Sequence, residues 1–163
     1  MSDISTRKFR SLMSRFVTGV TVIAVSHETA PGGFVAMTAS AVTAVSLDPL
    51  LLLCCIRNES SLLPILRECG EFSVNVLSSG QHAVSQYYGG KPDKGVPGTW
   101  AFEQGVPVLH GANASFICEV SEWQRVGDHT VIYGAVGRMN SIEPPAPALV
   151  YAAGRYSNVE LAL

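Results

Sequence analysis

The chain reads as mainly β: a closed or partly closed antiparallel β-barrel with peripheral helices. Three observations carry this. Short runs rich in β-branched and apolar residues recur from Val17 to Ala152, bounded by Gly, Pro, Asn, Asp or Ser. Only three stretches have helical spacing or caps: Ile4–Phe16, the one from Ser60-Ser61 to about Cys69, and Gln81–Tyr88. No strand–helix–strand rhythm repeats, and no G-x-G-x-x-G or Walker sequence joins a strand to a helix. About eight strands are expected. The length of 163 residues predicts one domain, 1–163.

The elements follow in order. Ser5 or Thr6 can cap the first helix, whose Phe9, Leu12, Met13 and Phe16 form a stripe expected to pack in the core. Val17–Val25 is a strand in which Gly19 hints at a bulge. Phe34–Met37 and Val42–Leu47 are strands around a turn of small and hydroxyl residues, Thr38-Ala39-Ser40. Leu50–Ile56 is continuously apolar, which predicts a strand buried on both faces. Pro64 fits only the first turn of the second helix, and Gly70 ends it. Phe72–Leu77 is a strand. Gly89–Gly98 is a long loop whose far end Trp100-Ala101-Phe102 should anchor. Pro107–Leu109, Ala114–Ser121, His129–Met139 and Ala148–Ala152 complete the strands.

Composition narrows the function. Charged residues make up 15% and hydrophobic residues 47%, against about 25% charged in a usual soluble domain. Some apolar surface should therefore lie in an interface, which suggests a homo-oligomer. The net charge of -2 and the lack of a Lys/Arg run argue against nucleic acid as main partner. No apolar run reaches membrane-spanning length, and the N-terminus shows no signal peptide. The four cysteines, Cys54, Cys55, Cys69 and Cys118, form no C-x-x-C and no zinc pattern. Cys54 and Cys55 point to opposite faces of one strand and read as small buried hydrophobes. A cytoplasmic location follows from this cysteine usage.

Three constellations could carry chemistry. Thr38-Ala39-Ser40 lets a flat ring approach the backbone; the alternative is a plain strand connection. Asn58-Glu59-Ser60-Ser61 opens a helix, where N–H groups and hydroxyls could meet a phosphate, with Arg57 or Lys94 adding charge. The alternative is an ordinary cap. Gly127-Asp128-His129-Thr130 delivers His129 to a strand start, where it could bind a substrate or relay a proton. No nucleophile elbow, paired carboxylates or metal cluster is present, so the chemistry belongs to a bound cofactor.

Read end to end, these motifs resemble the short-chain flavin reductases, the reductase components of two-component flavin monooxygenases. The resemblance rests on Phe16-Val17-Thr18-Gly19-Val20-Thr21-Val22, on Met37 through Pro49, and on Glu71 through Leu77. Asp93-Lys94, Gly105 through Leu109, Cys118-Glu119-Val120, Gly127 through Thr130 and Gly154-Arg155-Tyr156 follow in family order.

The resemblance implies the FMN-binding split-barrel fold, a homodimer, and reduction of FMN or FAD by NADH or NADPH for a separate flavin-dependent monooxygenase. It implies that Met37, Thr38, Ala39 and Ser40 line the isoalloxazine. Cys54, Cys55, Asn58, Ser60 and Ser61 would hold the ribityl chain and phosphate, with Lys94 as a further cofactor contact. His129 would be the catalytic residue on the nicotinamide side, with Arg155 and Tyr156 close by. Three departures, Leu50 after Asp48-Pro49, Gly95 after Lys94 and the stretch Tyr87-Tyr88-Gly89-Gly90-Lys91-Pro92, leave FMN and FAD both open. The other readings are a non-catalytic flavin- or haem-binding barrel and a self-contained flavin oxygenase.

Overall fold

A computed structural model describes residues 5–92 and 97–162. Chain order is α1 (Thr6–Met13), β1 (Thr18–Gly19), β2 (Thr21–Ser26), β3 (Phe34–Ala39), β4 (Val42–Leu47), β5 (Leu50–Arg57), α2 (Leu62–Cys69), β6 (Glu71–Val76) and α3 (His82–Tyr88). It continues with β7 (Trp100–Glu103), β8 (Val106–Leu109), β9 (Ala114–Val126), β10 (His129–Ser141), β11 (Ala148–Ala152) and β12 (Arg155–Val159).

Topology makes the barrel. Seven strands form one sheet in the order β3-β2-β6-β9-β10-β5-β4, and every pairing in it is antiparallel. Its two outer strands, β3 and β4, are consecutive in the chain and joined only by Ser40-Ala41. A two-residue link cannot span a flat seven-stranded sheet, because neighbouring strands lie about 4.8 Å apart. The sheet therefore rolls until its edges meet. They meet incompletely: the Cys55 N–H bond to the Ala41 carbonyl, 3.0 Å, only prolongs the β4–β5 ladder, and β3 forms no ladder with β4 or β5. The barrel is split there.

Inside the roll sit Ile23, Val25, Leu52, Cys54, Ile56, Phe72, Val74 and Ile132. Helix α2 seals one end by burying Leu62, Leu63 and Leu66. Gly70 then stops it in the left-handed conformation, φ 72°, with its N–H on the Leu66 carbonyl. On the opposite face of β6 from Phe72 and Val74, β8 packs over a polar knot on Asn75, which is fully buried. Its Nδ2 donates to the Val22 carbonyl (3.1 Å) and to Ser73 Oγ (2.9 Å). Its Oδ1 accepts from Leu109 N–H (3.0 Å) and Ser115 Oγ (2.9 Å). All four hydrogen-bonding positions of the amide are used.

Close packing makes Gly134 of β10 a sensitive position. A Cβ there would stand 2.7 Å from Phe72 Cζ and 2.9 Å from Cys118 Cβ. We expect Gly134→Ala to cost about 1–3 kcal/mol. Chemical denaturation should show the loss, and trimming the ring in a Gly134→Ala, Phe72→Leu double variant should recover part of it.

Several expectations need correction. The described residues hold twelve strands, more than expected, because short pieces such as β1, β7 and β12 carry little sequence pattern. Thr38 and Ala39 belong to strand β3, so the turn is only Ser40-Ala41. β9 and β10 run 13 residues each. Cross-strand pairing prolongs them beyond the apolar runs that mark them in sequence. β5 is not buried on both faces: Leu52, Cys54 and Ile56 are buried, whereas Leu51, Leu53 and Cys55 are half-exposed on the outer wall. The α1 stripe is not core either. Phe9, Leu12, Met13 and Phe16 are all exposed, Phe16 by 69%.

Candidate active site

The split between β3 and β5 opens into a cleft of ≈ 440 Å³, within the range of small-molecule sites. Met37, Thr38, Ala39, Ser40 and Ala41 form one wall, and Cys55, Arg57, Glu59, Ser60 and His129 form the other. The sequence explains the first wall. As an outer strand, β3 pairs on one side only, so its second backbone edge faces the gap. Small side chains at Ala39, Ser40 and Ala41 leave that backbone approachable.

Several of these side chains are held from behind. Thr38 Oγ1 donates to the Ser85 carbonyl of α3 at 2.8 Å, fixing the β3 wall. Ser60 Oγ lies 3.7 Å from Met37 Sδ and accepts from Leu62 N–H at 3.3 Å, so it joins β3 to the start of α2. His129 enters from β10, paired across the ladder with Arg57. Its Nδ1 bonds Asp128 Oδ1 at 2.8 Å. A carboxylate only accepts, so Nδ1 carries the proton and Nε2 is the nitrogen left for a ligand. The same bond and the imidazole charge hold the Asp128 carboxyl below the ordinary carboxylate range. Its bond to His129 is therefore present above that range and is lost as pH falls through the lowered value.

The structure brings together Met37, Thr38, Ala39, Ser40, Cys55, Ser60 and His129. Among the described residues, the others expected do not line the cleft. Cys54 is fully buried in the core, because it alternates with Cys55 along β5. Burial pushes its thiol up to about 12, so it does not serve as a nucleophile. Burial also raises the Cys55 thiol. Ser61 is exposed at the start of α2 and makes no side-chain cap. Asn58 has both ends of its amide engaged by the His129 turn. Tyr156 shares a 2.8 Å hydrogen bond with Ser85 and packs edge-on to His82 at 4.3 Å, behind the β3 wall. Arg155 is exposed on β12 beside it. Lys94 lies outside the described residues. Ala41 and Glu59 are cleft residues that sequence reasoning missed, although both stand inside or next to stretches it singled out.

A second, larger cleft of ≈ 890 Å³ shares Ser40, Ala41 and Cys55 with the first. Phe16, Val17, Val42, Leu47, Leu51 and Val136 are among its apolar walls. Among the described residues, no group of three or more His, Cys, Asp or Glu could hold a metal, and no helix is long and apolar enough to cross a membrane.

The chain is similar to several known proteins. The reductase subunit HsaB of a flavin-dependent monooxygenase from Mycobacterium tuberculosis (strain ATCC 25618 / H37Rv) is 36% identical, over 98% of this chain and 85% of that protein. An FMN reductase (NADH), RutF 1, of Methylorubrum extorquens is 37% identical, over 91% of this chain and 74% of that protein. Among solved structures, the flavin reductase PheA2 superposes with a TM-score of 0.89 at 32% identity, covering 97% of this chain and all of that one (100%). The model of the flavin reductase like domain matches residues 13–160, which span the split barrel and the whole cleft, and the chain belongs to that family.

Proposed function

We propose that the chain is an NAD(P)H-dependent flavin reductase that supplies reduced FMN or FAD to a separate monooxygenase. The single observation that carries this is the cleft at the barrel split, where an open strand edge, small residues, hydroxyls, one cation and one imidazole converge. Those residues fit a flavin. Ala39, Ser40 and Ala41 leave room for a flat ring against backbone, and Arg57 and Ser60 offer a cation and a hydroxyl for a phosphate. A flavin held there would supply the hydride-accepting chemistry for NAD(P)H.

The protein's part is alignment. Met37 through Ser40 would orient the ring, with Cys55 on the facing wall. His129, with Nδ1 fixed by Asp128, presents Nε2 to the nicotinamide side as a positioning group or proton relay. Arg57 replaces Cys54, Asn58 and Ser61 as the residue we assign to the phosphate, and Arg155 and Tyr156 are not assigned to the nicotinamide side. A groove open to solvent suits a product that must diffuse away.

The chain works as one domain, in the cytoplasm, as a homodimer. Support for the dimer is the apolar surface of a single copy: the α1 stripe is exposed, and Leu47 is 86% exposed at the rim of the larger cleft. A second copy covers these residues. Sedimentation should give a dimer, and Leu47→Asp with Phe16→Asp should give a monomer; a monomeric parent protein would remove the dimer from this reading.

The function is tested by NADH and NADPH oxidation with no flavin, FMN or FAD. Oxidation that saturates with added flavin is expected. Flavin binding without oxidation would favour the non-catalytic flavin-binding barrel.

A further inference from the structure

We infer that Asn58 is a positioning residue that clamps the Gly127–Thr130 turn and so holds His129 at the cleft. The inference deepens the reading above and rests on it for the role of His129. Three hydrogen bonds carry it. Asn58 N–H donates to the Asp128 carbonyl at 3.0 Å. Asn58 Nδ2 donates to the Gly127 carbonyl at 3.0 Å. Thr130 Oγ1 donates to Asn58 Oδ1 at 2.8 Å.

The partners, residues 127, 128 and 130, bracket His129 on both sides. The tip of the turn is exposed, with the Asp128 side chain 92% exposed, so the core does not pin it there. Asn58 follows directly on β5, which is seated in the barrel core, and it transfers that rigidity to the tip of the β9–β10 hairpin. Only a side-chain amide suits the position, because one end must donate to a carbonyl while the other accepts from a hydroxyl. Thr130 is buried, so loss of Asn58 Oδ1 also leaves its hydroxyl unpaired.

The test is a double-mutant cycle of Asn58→Ala and His129→Ala, read as kcat/KM for NADH at saturating flavin and as flavin Kd. Asn58→Ala is expected to lower kcat/KM about 10-fold, since small displacements of a positioning group are costly. Flavin Kd should stay within about twofold. In the His129→Ala background, Asn58→Ala should change the rate by less than about twofold, because the two residues act as one unit. Thr130→Ser should behave as wild type and Thr130→Val should show part of the loss.

Losses that multiply in the double variant would overturn the inference. So would weakened flavin binding with an unchanged NADH rate, which would return Asn58 to a phosphate-holding role. A wild-type rate in His129→Ala would overturn it together with the role of His129. Amide exchange gives a readout that does not need turnover: residues 127–130 should exchange at least about fivefold faster in Asn58→Ala. Unchanged exchange would overturn the clamp even in a protein that reduces no flavin. Faster exchange in a protein that is inactive with every flavin would support the clamp and overturn the functional reading alone.

Discussion

Replacing His129 with alanine is expected to slow NAD(P)H-dependent flavin reduction by about 10- to 100-fold, on the order of the effect of losing a well-placed orienting group. Flavin binding should survive within about twofold, because the ring wall, Met37 through Ser40, lies on a different strand. The asymmetry follows from the structure. β3 is fixed from behind by Thr38 on the Ser85 carbonyl, whereas His129 rides on the β9–β10 hairpin and is fixed by Asp128. Removing the imidazole leaves the wall intact. Rapid mixing with NADH separates hydride transfer from binding. Equal rates in the variant and the parent would remove His129 from the mechanism.

Asn75→Ala is expected to destabilise the protein by about 3 kcal/mol, with Tm lowered by about 6–12 °C for a chain of this length. The amide joins β2, β8 and β9 through β6, and each partner loses its bond in a place water cannot reach. Ser115→Ala, which removes one donor and leaves the rest of the knot, should cost only about 1 kcal/mol. Calorimetry of both variants checks the ranking. Similar losses in the two would show that the knot is not a unit.

The barrel was legible in the sequence because its strands are short, β-branched and bounded by turn residues, as at Thr21–Ser26 and Glu71–Val76. Closure was expected from the number of strands and the lack of a strand–helix rhythm, but the strand order that produces it was not legible. Closure depends on β3 and β4 lying at opposite edges of one sheet, and no local pattern encodes that order. The same blindness explains β5. A continuous apolar run, Leu50–Ile56, signals burial, but not that one face meets the core and the other the larger cleft.

The α1 stripe misled for a related reason. Helical spacing shows that Phe9, Leu12, Met13 and Phe16 share a face, and the sequence does not say whether the chain itself covers it. Within the site, the β3 wall, Ser60 and His129 were found from residue chemistry and resemblance. Cys54 was not separated from Cys55, although strand alternation alone divides them. Asn58 was assigned to a phosphate because the sequence places it beside Ser60, while its partners lie 69 and 72 residues away in the chain.

The central claim is that the cleft aligns a flavin for reduction and then lets it go. Anaerobic mixing of the protein and FMN or FAD with NADH or NADPH, followed by filtration, tests this directly. The account predicts flavin bleaching at a rate that saturates with the nicotinamide, and reduced flavin in the filtrate. Flavin that stays oxidised while bound, with either donor, would contradict it.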